Sequence, residues 1–182
     1  MSTETLFQSF LKIKRVTLFV GFTCCNDCRF CVAADKRIFP DKSTEEIKEE
    51  LEEAYVHGSQ EVVFSGGECT LRDDIFEIVH FAKKLGYLNI QIQTNGRKFV
   101  SLEFCKKMLL AGMTEFGPAL HGHTAKLHDF LTQRKGAFRQ TVLGIHNMKT
   151  LARGSHIQIL TNTVITKYNY RFLPQIADLL IK

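Results

Sequence analysis

Arg15-Val16-Thr17-Leu18-Phe19-Val20-Gly21-Phe22-Thr23-Cys24-Cys25-Asn26-Asp27-Cys28-Arg29-Phe30-Cys31 joins a β-branched, aromatic run to a cysteine-dense loop. The first six residues read as a strand. Directly after it, four of the six cysteines fall within eight residues, a metal-site pattern and not a disulfide framework. A loop just past the C-terminal end of a strand is where parallel α/β folds place their ligands. Two registers can be read. Cys25, Cys28 and Cys31 give C-x2-C-x2-C, which resembles the opening of a bacterial ferredoxin but lacks the C-x3-C-P that should follow. Cys24, Cys28 and Cys31 give C-x3-C-x2-C, in which three thiolates hold three irons of a four-iron cluster and leave the fourth open to chemistry. A zinc centre needs four ligands, usually as two separated pairs, and no second pair stands at the usual spacing.

Outward from this loop, short β-rich runs alternate with longer amphipathic ones. A short helix is expected near residues 3–10, ahead of the first strand. A helix should begin after Ser43, which forms a capping box with Glu46, carry Ile47, Leu51, Ala54 and Tyr55 on one face, and stop at Gly58. A strand over 61–65 follows, then a helix from near Arg72 to Gly86, a strand over 88–93, and a helix over 101–111 ended by Gly112. A fourth strand over 115–120 leads through a polar, histidine-containing loop to a helix over 137–151, a strand over 157–164 and a helix over 170–181. Five βα units imply an α/β protein with a parallel sheet and right-handed crossovers.

The length of 182 residues suits one domain and is too short for a closed eight-fold barrel, which takes about 250. Apolar residues make up 45%, enough for a sizeable core. The net charge of +5 is scattered, so nucleic acid is not implied. The N-terminus has no secretory pattern and no apolar run approaches the roughly 20 residues of a membrane span, so the expected location is cytoplasmic, without a membrane partner.

The C-x3-C-x2-C register, with Phe30 before its last cysteine, resembles the signature of the radical S-adenosylmethionine (radical SAM) superfamily. Ser65-Gly66-Gly67-Glu68 closes the second strand as the family's G-G-E motif does, and Gln93-Thr94-Asn95-Gly96 closes the third like its T-N-G. Leu120-His121-Gly122 is similar to the family's segment after the fourth strand, and Gly136-Ala137-Phe138 with Gly144-Ile145 continues the pattern, so the likeness covers roughly residues 15–175. It implies a partial, TIM-like (β/α)6 barrel: residues 1–14 a lead-in, residues 15–182 the core domain, with the last strand missing from a truncated chain. It also implies a [4Fe-4S] cluster on Cys24, Cys28 and Cys31. S-adenosylmethionine (SAM) would be bound by Phe30, Ser65, Gly66, Gly67, Glu68, Thr94, Asn95 and Asn162. Phe30 would lie against the adenine. Gly66 and Gly67 would admit the backbone close to the ligand. Glu68 would neutralise the methionine ammonium or buttress the turn, Thr94 and Asn95 would reach a carboxylate or ribose, and Asn162 the ribose. The implied activity is reductive cleavage of SAM to a 5′-deoxyadenosyl radical that takes hydrogen from a peptide or small molecule, with a reductant such as flavodoxin or ferredoxin. No catalytic residue is assigned. The rival readings are an iron-sulfur electron carrier and a zinc-binding partner module.

Several residues depart from the family pattern. Cys69 stands where many members have Pro and reads as a substrate-facing thiol or, more simply, a small core residue. Ala119 replaces a Ser that would bind the methionine carboxylate, and Thr132 stands at the spacing after His128-Asp129 where relatives often have Arg. His121, His123 and His128 invite a metal reading but need no metal. Cys105 reads as helix core.

Overall fold

The computed structural model describes residues 15–181; the expected lead-in at 1–14 and Lys182 lie outside the described residues. One parallel sheet runs in the order β1 (Arg15–Phe19), β2 (Glu61–Ser65), β3 (Asn89–Thr94), β4 (Glu115–Pro118), β5 (Gln158–Ile159), and it does not close. Between the strands lie α1 (Thr44–Val56), α2 (Ile75–Leu85), α3 (Leu102–Ala111), α4 (Ala125–Thr132) and α5 (Ala137–Leu151), with α6 (Leu173–Ile181) after β5. This is the open parallel α/β architecture that the alternating pattern predicts. Among the described residues no helix is long and apolar enough to cross a membrane.

The two faces of the sheet differ in chemistry, because successive side chains of a strand point to opposite sides. Leu18, Val62, Phe64, Ile90, Ile92 and Phe116 belong to the buried cluster shared with Ile47, Leu51, Ile78 and Met108 of the helices. Phe99 sits at its centre, 4.3 Å from the Phe116 ring and 5.2 Å from Phe104, centroid to centroid. The other face is polar. At its N-terminal end Arg15 donates to Glu61 (2.6 Å), Gln91 (3.4 Å) and Glu115 (3.0 Å), bridging four strands. The pairing Arg15↔Glu61, Glu61↔Asn89, Gln91↔Glu115 carries this face on to Ser65, Gln93 and Ala119, which bridges to Asn162.

Local signals set most boundaries. The capping box is present, Ser43 accepting from the Glu46 amide and Glu46 from the Ser43 amide, and Gly86 ends α2 in the left-handed conformation. Elsewhere the structure differs from expectation. The helix expected from Arg72 starts at Ile75, because residues 69–71 form a 3-10 turn and Arg72 reaches back to the carbonyls of Val20 (2.9 Å) and Lys42 (2.7 Å). The loop expected before residue 137 contains α4, capped by Thr124 accepting from the Leu127 amide. The expected long fifth strand has only two regular residues, although ladder bonds continue from Leu160 to Phe116 (2.9 Å) and from Asn162 to Pro118 (2.8 Å).

Helix α5 lies on the turn after β3. Thr141 donates to the Asn95 carbonyl (2.8 Å), Asn147 to those of Phe99 (3.0 Å) and Val100 (3.1 Å). A Cβ on Gly144 would stand 2.5 Å from the Gly96 carbonyl oxygen. Gly to Ala inside a helix ordinarily stabilises by about 0.5–1 kcal/mol. At Gly144 overpacking of about 1–3 kcal/mol opposes that gain, so Gly144→Ala should lower the melting temperature by a few degrees. A rise in a thermal melt would show that α5 is free to move off the turn.

Candidate active site

The cysteine loop is seated by backbone contacts on both sides. On one side the pairing of β1 and β2 continues past the strands: Val20 N–H to Ser65 (3.1 Å), Gly67 N–H to Gly21 (2.9 Å) and Glu68 N–H to Thr23 (2.8 Å). A Cβ on Gly66 would lie 2.1 Å from the Gly21 carbonyl oxygen, and one on Gly67 2.3 Å from that of Thr23. The two glycines thus admit the cysteine loop itself. On the other side the amides of Asp27 and Arg29 donate to the carbonyls of Thr132 (3.0 Å) and Leu131 (2.9 Å) at the end of α4. Gln133, in the left-handed conformation with φ 52°, donates to the Asp27 carbonyl.

Side chains that sequence reasoning missed complete the seat. Asp41 accepts from the amides of Phe22 (2.7 Å) and Thr23 (3.1 Å). Arg97 donates to the Cys25 carbonyl (3.0 Å) and to the side chain of Asn26 (2.9 Å), which is buried. Arg37 donates to the Asn26 carbonyl (3.1 Å) and to Asp27 (3.1 Å). Arg97 follows the Thr94-Asn95-Gly96 turn directly, and that adjacency is the one signal that could have found it.

Cys24, Cys28 and Cys31 open into a cavity of about 280 Å³ whose walls also include Phe30, Ser65, Gly66, Gly67, Thr94, Asn95 and Asn162. Cys25 is not on this wall; its sulfur accepts from Asn95 Nδ2 (3.2 Å). Burial pushes the Cys24 thiol up, and burial together with the Cys24 and Cys31 charges pushes Cys28 up to about 12. Three thiols crowded this way favour a cationic group that takes them as thiolates, and an iron-sulfur cluster fits that donor set. Among the described residues no three His, Cys, Asp or Glu side chains are grouped to hold a single metal ion.

Glu68 is also absent from the cavity wall. Only 3% exposed, it lies behind the wall. Its carboxylate accepts from Thr94 Oγ1 (2.6 Å), from the Asn95 amide (2.6 Å) and from the Thr70 amide (3.2 Å). Thr94 Oγ1 in turn accepts from the Gly96 amide (3.0 Å). Cys69 is 2% exposed, with its sulfur against the carbonyls of Phe64 and Gln93, and burial raises its pKa. Such a thiol is a core residue without nucleophilic character at neutral pH. Cys105 is likewise buried and donates to the Phe99 carbonyl (3.1 Å).

His121 reaches the cavity wall, edge-on to Phe30 with centroids 4.6 Å apart. Its Nδ1 accepts from the Val164 amide (3.2 Å), and Nδ1 of His128 accepts from the His121 amide (3.2 Å). Both rings therefore carry their proton on Nε2. Burial, with His128 adding to it, drives His121 down to about 3; burial, partly opposed by Asp129, drives His128 down to about 4. Asp129 accepts from the amides of Gly136 (2.6 Å) and Phe138 (2.8 Å), so it supports the start of α5.

The family model described as the Radical SAM superfamily matches residues 18–180. The chain belongs to the radical SAM superfamily. Members use a [4Fe-4S] cluster and SAM. Among curated relatives, Fe-coproporphyrin III synthase of Methanosarcina barkeri is 35% identical over 159 residues, covering 86% of this chain and 38% of the relative. This chain thus spans well under half the length of that relative. Streptococcus suis SuiB bound to its precursor peptide SuiA superimposes with a TM-score of 0.78 at 19% identity, over 98% of this chain and 39% of that one. SuiB bound to SAM gives 0.77 at 18% identity, over 92% and 38%. These structures share the fold of this radical SAM chain.

The buried histidine pair predicts a pH dependence. Both folded pKa values lie below the unfolded value of about 6.5, so the unfolded chain binds more protons in between. The pair's contribution is full above about pH 6.5 and is lost as the pH falls towards 4, costing about 2 kcal/mol per ring at pH 5. The melting temperature of the apoprotein should fall between pH 7.5 and 5, and His128→Gln should remove about half of that dependence. An unchanged slope in the variant would place the titration elsewhere.

Proposed function

We propose that this chain is a radical SAM enzyme core, residues 15–182 acting as one domain, with its cluster on Cys24, Cys28 and Cys31. One observation carries the assignment: these three thiols share a cavity wall, whereas Cys25 is turned to Asn95. That arrangement favours the C-x3-C-x2-C register. Held by Cys24, Cys28 and Cys31, the cluster with SAM would supply one-electron reductive cleavage of the sulfonium C–S bond to methionine and a 5′-deoxyadenosyl radical able to take hydrogen from substrate, the electron being supplied by a reductant such as flavodoxin or ferredoxin.

The chain's own residues bind and orient. Phe30 offers a ring to the adenine, while Ser65, Gly66, Thr94, Asn95 and Asn162 present polar groups or bare backbone along the same wall. Gly67 has its amide engaged by Gly21, so its part is to let the loop approach. Glu68 is a positioning residue that orients Thr94 and the Asn95 amide from behind. The substrate is a peptide or small molecule; since a synthase is named for its product, the name of the Methanosarcina relative makes tetrapyrrole precursors of Fe-coproporphyrin III the first to offer.

Anaerobic reconstitution should yield a brown protein with about four irons that releases 5′-deoxyadenosine on addition of dithionite and SAM. Absence of that product ends the assignment. Cys24→Ala should lose the iron while Cys25→Ala keeps it; equal loss in both would overturn the register. Glu68→Gln should weaken SAM binding about tenfold, equivalent to about 1.4 kcal/mol, with iron content unchanged. Unaltered affinity by calorimetry would remove Glu68 from any role in positioning the wall.

A further inference from the structure

Arg37 is the guanidinium that lines the cavity beside the three thiols. It comes from the 3-10 segment Asp35–Ile38, six residues past Cys31. Nη2 donates to the Asn26 carbonyl (3.1 Å) and points at the Cys31 sulfur 3.9 Å away; Nη1 pairs with Asp27 (3.1 Å). The pair is lopsided in its solvation, since the Asp27 side chain is 56% exposed and that of Arg37 28%. Water therefore screens the carboxylate more than the guanidinium, so the Cys28 and Cys31 side of the cavity feels mainly the Arg37 charge. Neither Arg97, which bonds the Cys25 carbonyl and Asn26, nor Arg29 within the loop, which donates to the Phe130 carbonyl (2.9 Å), lines the cavity. Glu68, the buried carboxylate next to Gly67, accepts from Thr94 and Asn95 and its charge acts on the opposite, Cys24 side.

A cluster held by thiolates gains one negative charge on reduction. Its potential rises with nearby positive charge and with hydrogen bonds to its sulfur ligands. Arg37 supplies both at one place. We infer that Arg37 sets the reduction potential of this centre, keeping the cluster within reach of its electron donor by stabilising the reduced state. The inference rests on the cluster assignment above. It gives the residue an electrostatic task distinct from tying the loop, which its bonds to Asn26 and Asp27 also perform.

The two tasks separate in a redox titration followed by electron paramagnetic resonance, on the reconstituted protein without SAM. Wild type, Arg37→Lys and Arg37→Gln are compared, with iron counted in each. Arg37→Gln should keep about four irons yet show a tenfold lower ratio of reduced to oxidised cluster at a given potential, a midpoint shift of about −59 mV for one electron. Arg37→Lys, which retains the charge, should stay near wild type. An unshifted midpoint in Arg37→Gln overturns the inference, and so does loss of its iron, which would make Arg37 a structural tie only. Wild-type protein that binds no cluster is a different failure, that of the cluster assignment itself.

Discussion

Two backbone hydrogen bonds carry the rest of the site: Gly67 N–H to Gly21 and Glu68 N–H to Thr23. They prolong the β1–β2 ladder beyond the strands, so the cysteine loop starts as an extension of the sheet. The bonds exist only because residues 66 and 67 lack a Cβ; with one, the oxygens of Gly21 and Thr23 would lie at 2.1 and 2.3 Å. An alanine there would lift the loop off the strand end. The point at which the cysteine loop leaves the sheet thus follows from the rigidity of two paired strands.

The same alternation of side chains explains why a cavity exists above the sheet. On the helix-facing side Phe64, Ile92 and Phe116 fill space completely. On the opposite side Arg15, Glu61, Gln91 and Glu115 lie towards the start of the strands and Ser65, Gln93, Gly117 and Ala119 towards their ends beside Phe19, a change from long polar or charged groups to mostly small or neutral ones. Glu115 is buried and bonded by Arg15, so this plug is a fully paired network; removing one partner would strand a buried charge. Gly117 is small for a reason visible in the packing, since a Cβ there would stand 2.9 Å from Gln91 Nε2. Polar groups close one end of the sheet's inner face and leave room at the other.

Much of this was legible in the sequence wherever the cause is local. Ser43 with Glu46, the glycines at 86 and 112, and the cysteines following a β-branched run each act through neighbours a few residues away. Helix α4 escaped because His121, Gly122, His123 and Thr124 look like loop, although Thr124 followed by Leu127, His128 and Leu131 carries a cap and an apolar spacing. The regular part of β5, at one edge of the sheet, is two residues long, and no residue type announces that. Gly66 and Gly67, expected to admit a ligand, line the cavity, and the structure gives their size a second cause: loop backbone occupies the space that a Cβ would take. Register was the missing information: Asn162 joins the cavity because it bridges to Ala119, a pairing set by contacts more than forty residues apart.

The residues that sequence patterns missed have a common physical origin. A loop with no ladder of its own must find partners for its backbone groups elsewhere. Asp41 takes two amides, Arg97 and Arg37 take the successive carbonyls of Cys25 and Asn26, Gln133 takes that of Asp27, and the end of α4 takes two further amides. These donors and acceptors come from three separate stretches, residues 37–41, Arg97 and residues 131–133, so each is unremarkable in its own stretch of sequence and meaningful only after folding. Their joint effect is on entropy. Ordering a loop of this length costs about 1–2 kcal/mol per residue in backbone freedom, and here the cost is met during folding. With its backbone groups paired by the protein, the loop presents the three thiols on a wall held by the rest of the fold, and the orientation of the reacting groups is set by that scaffold.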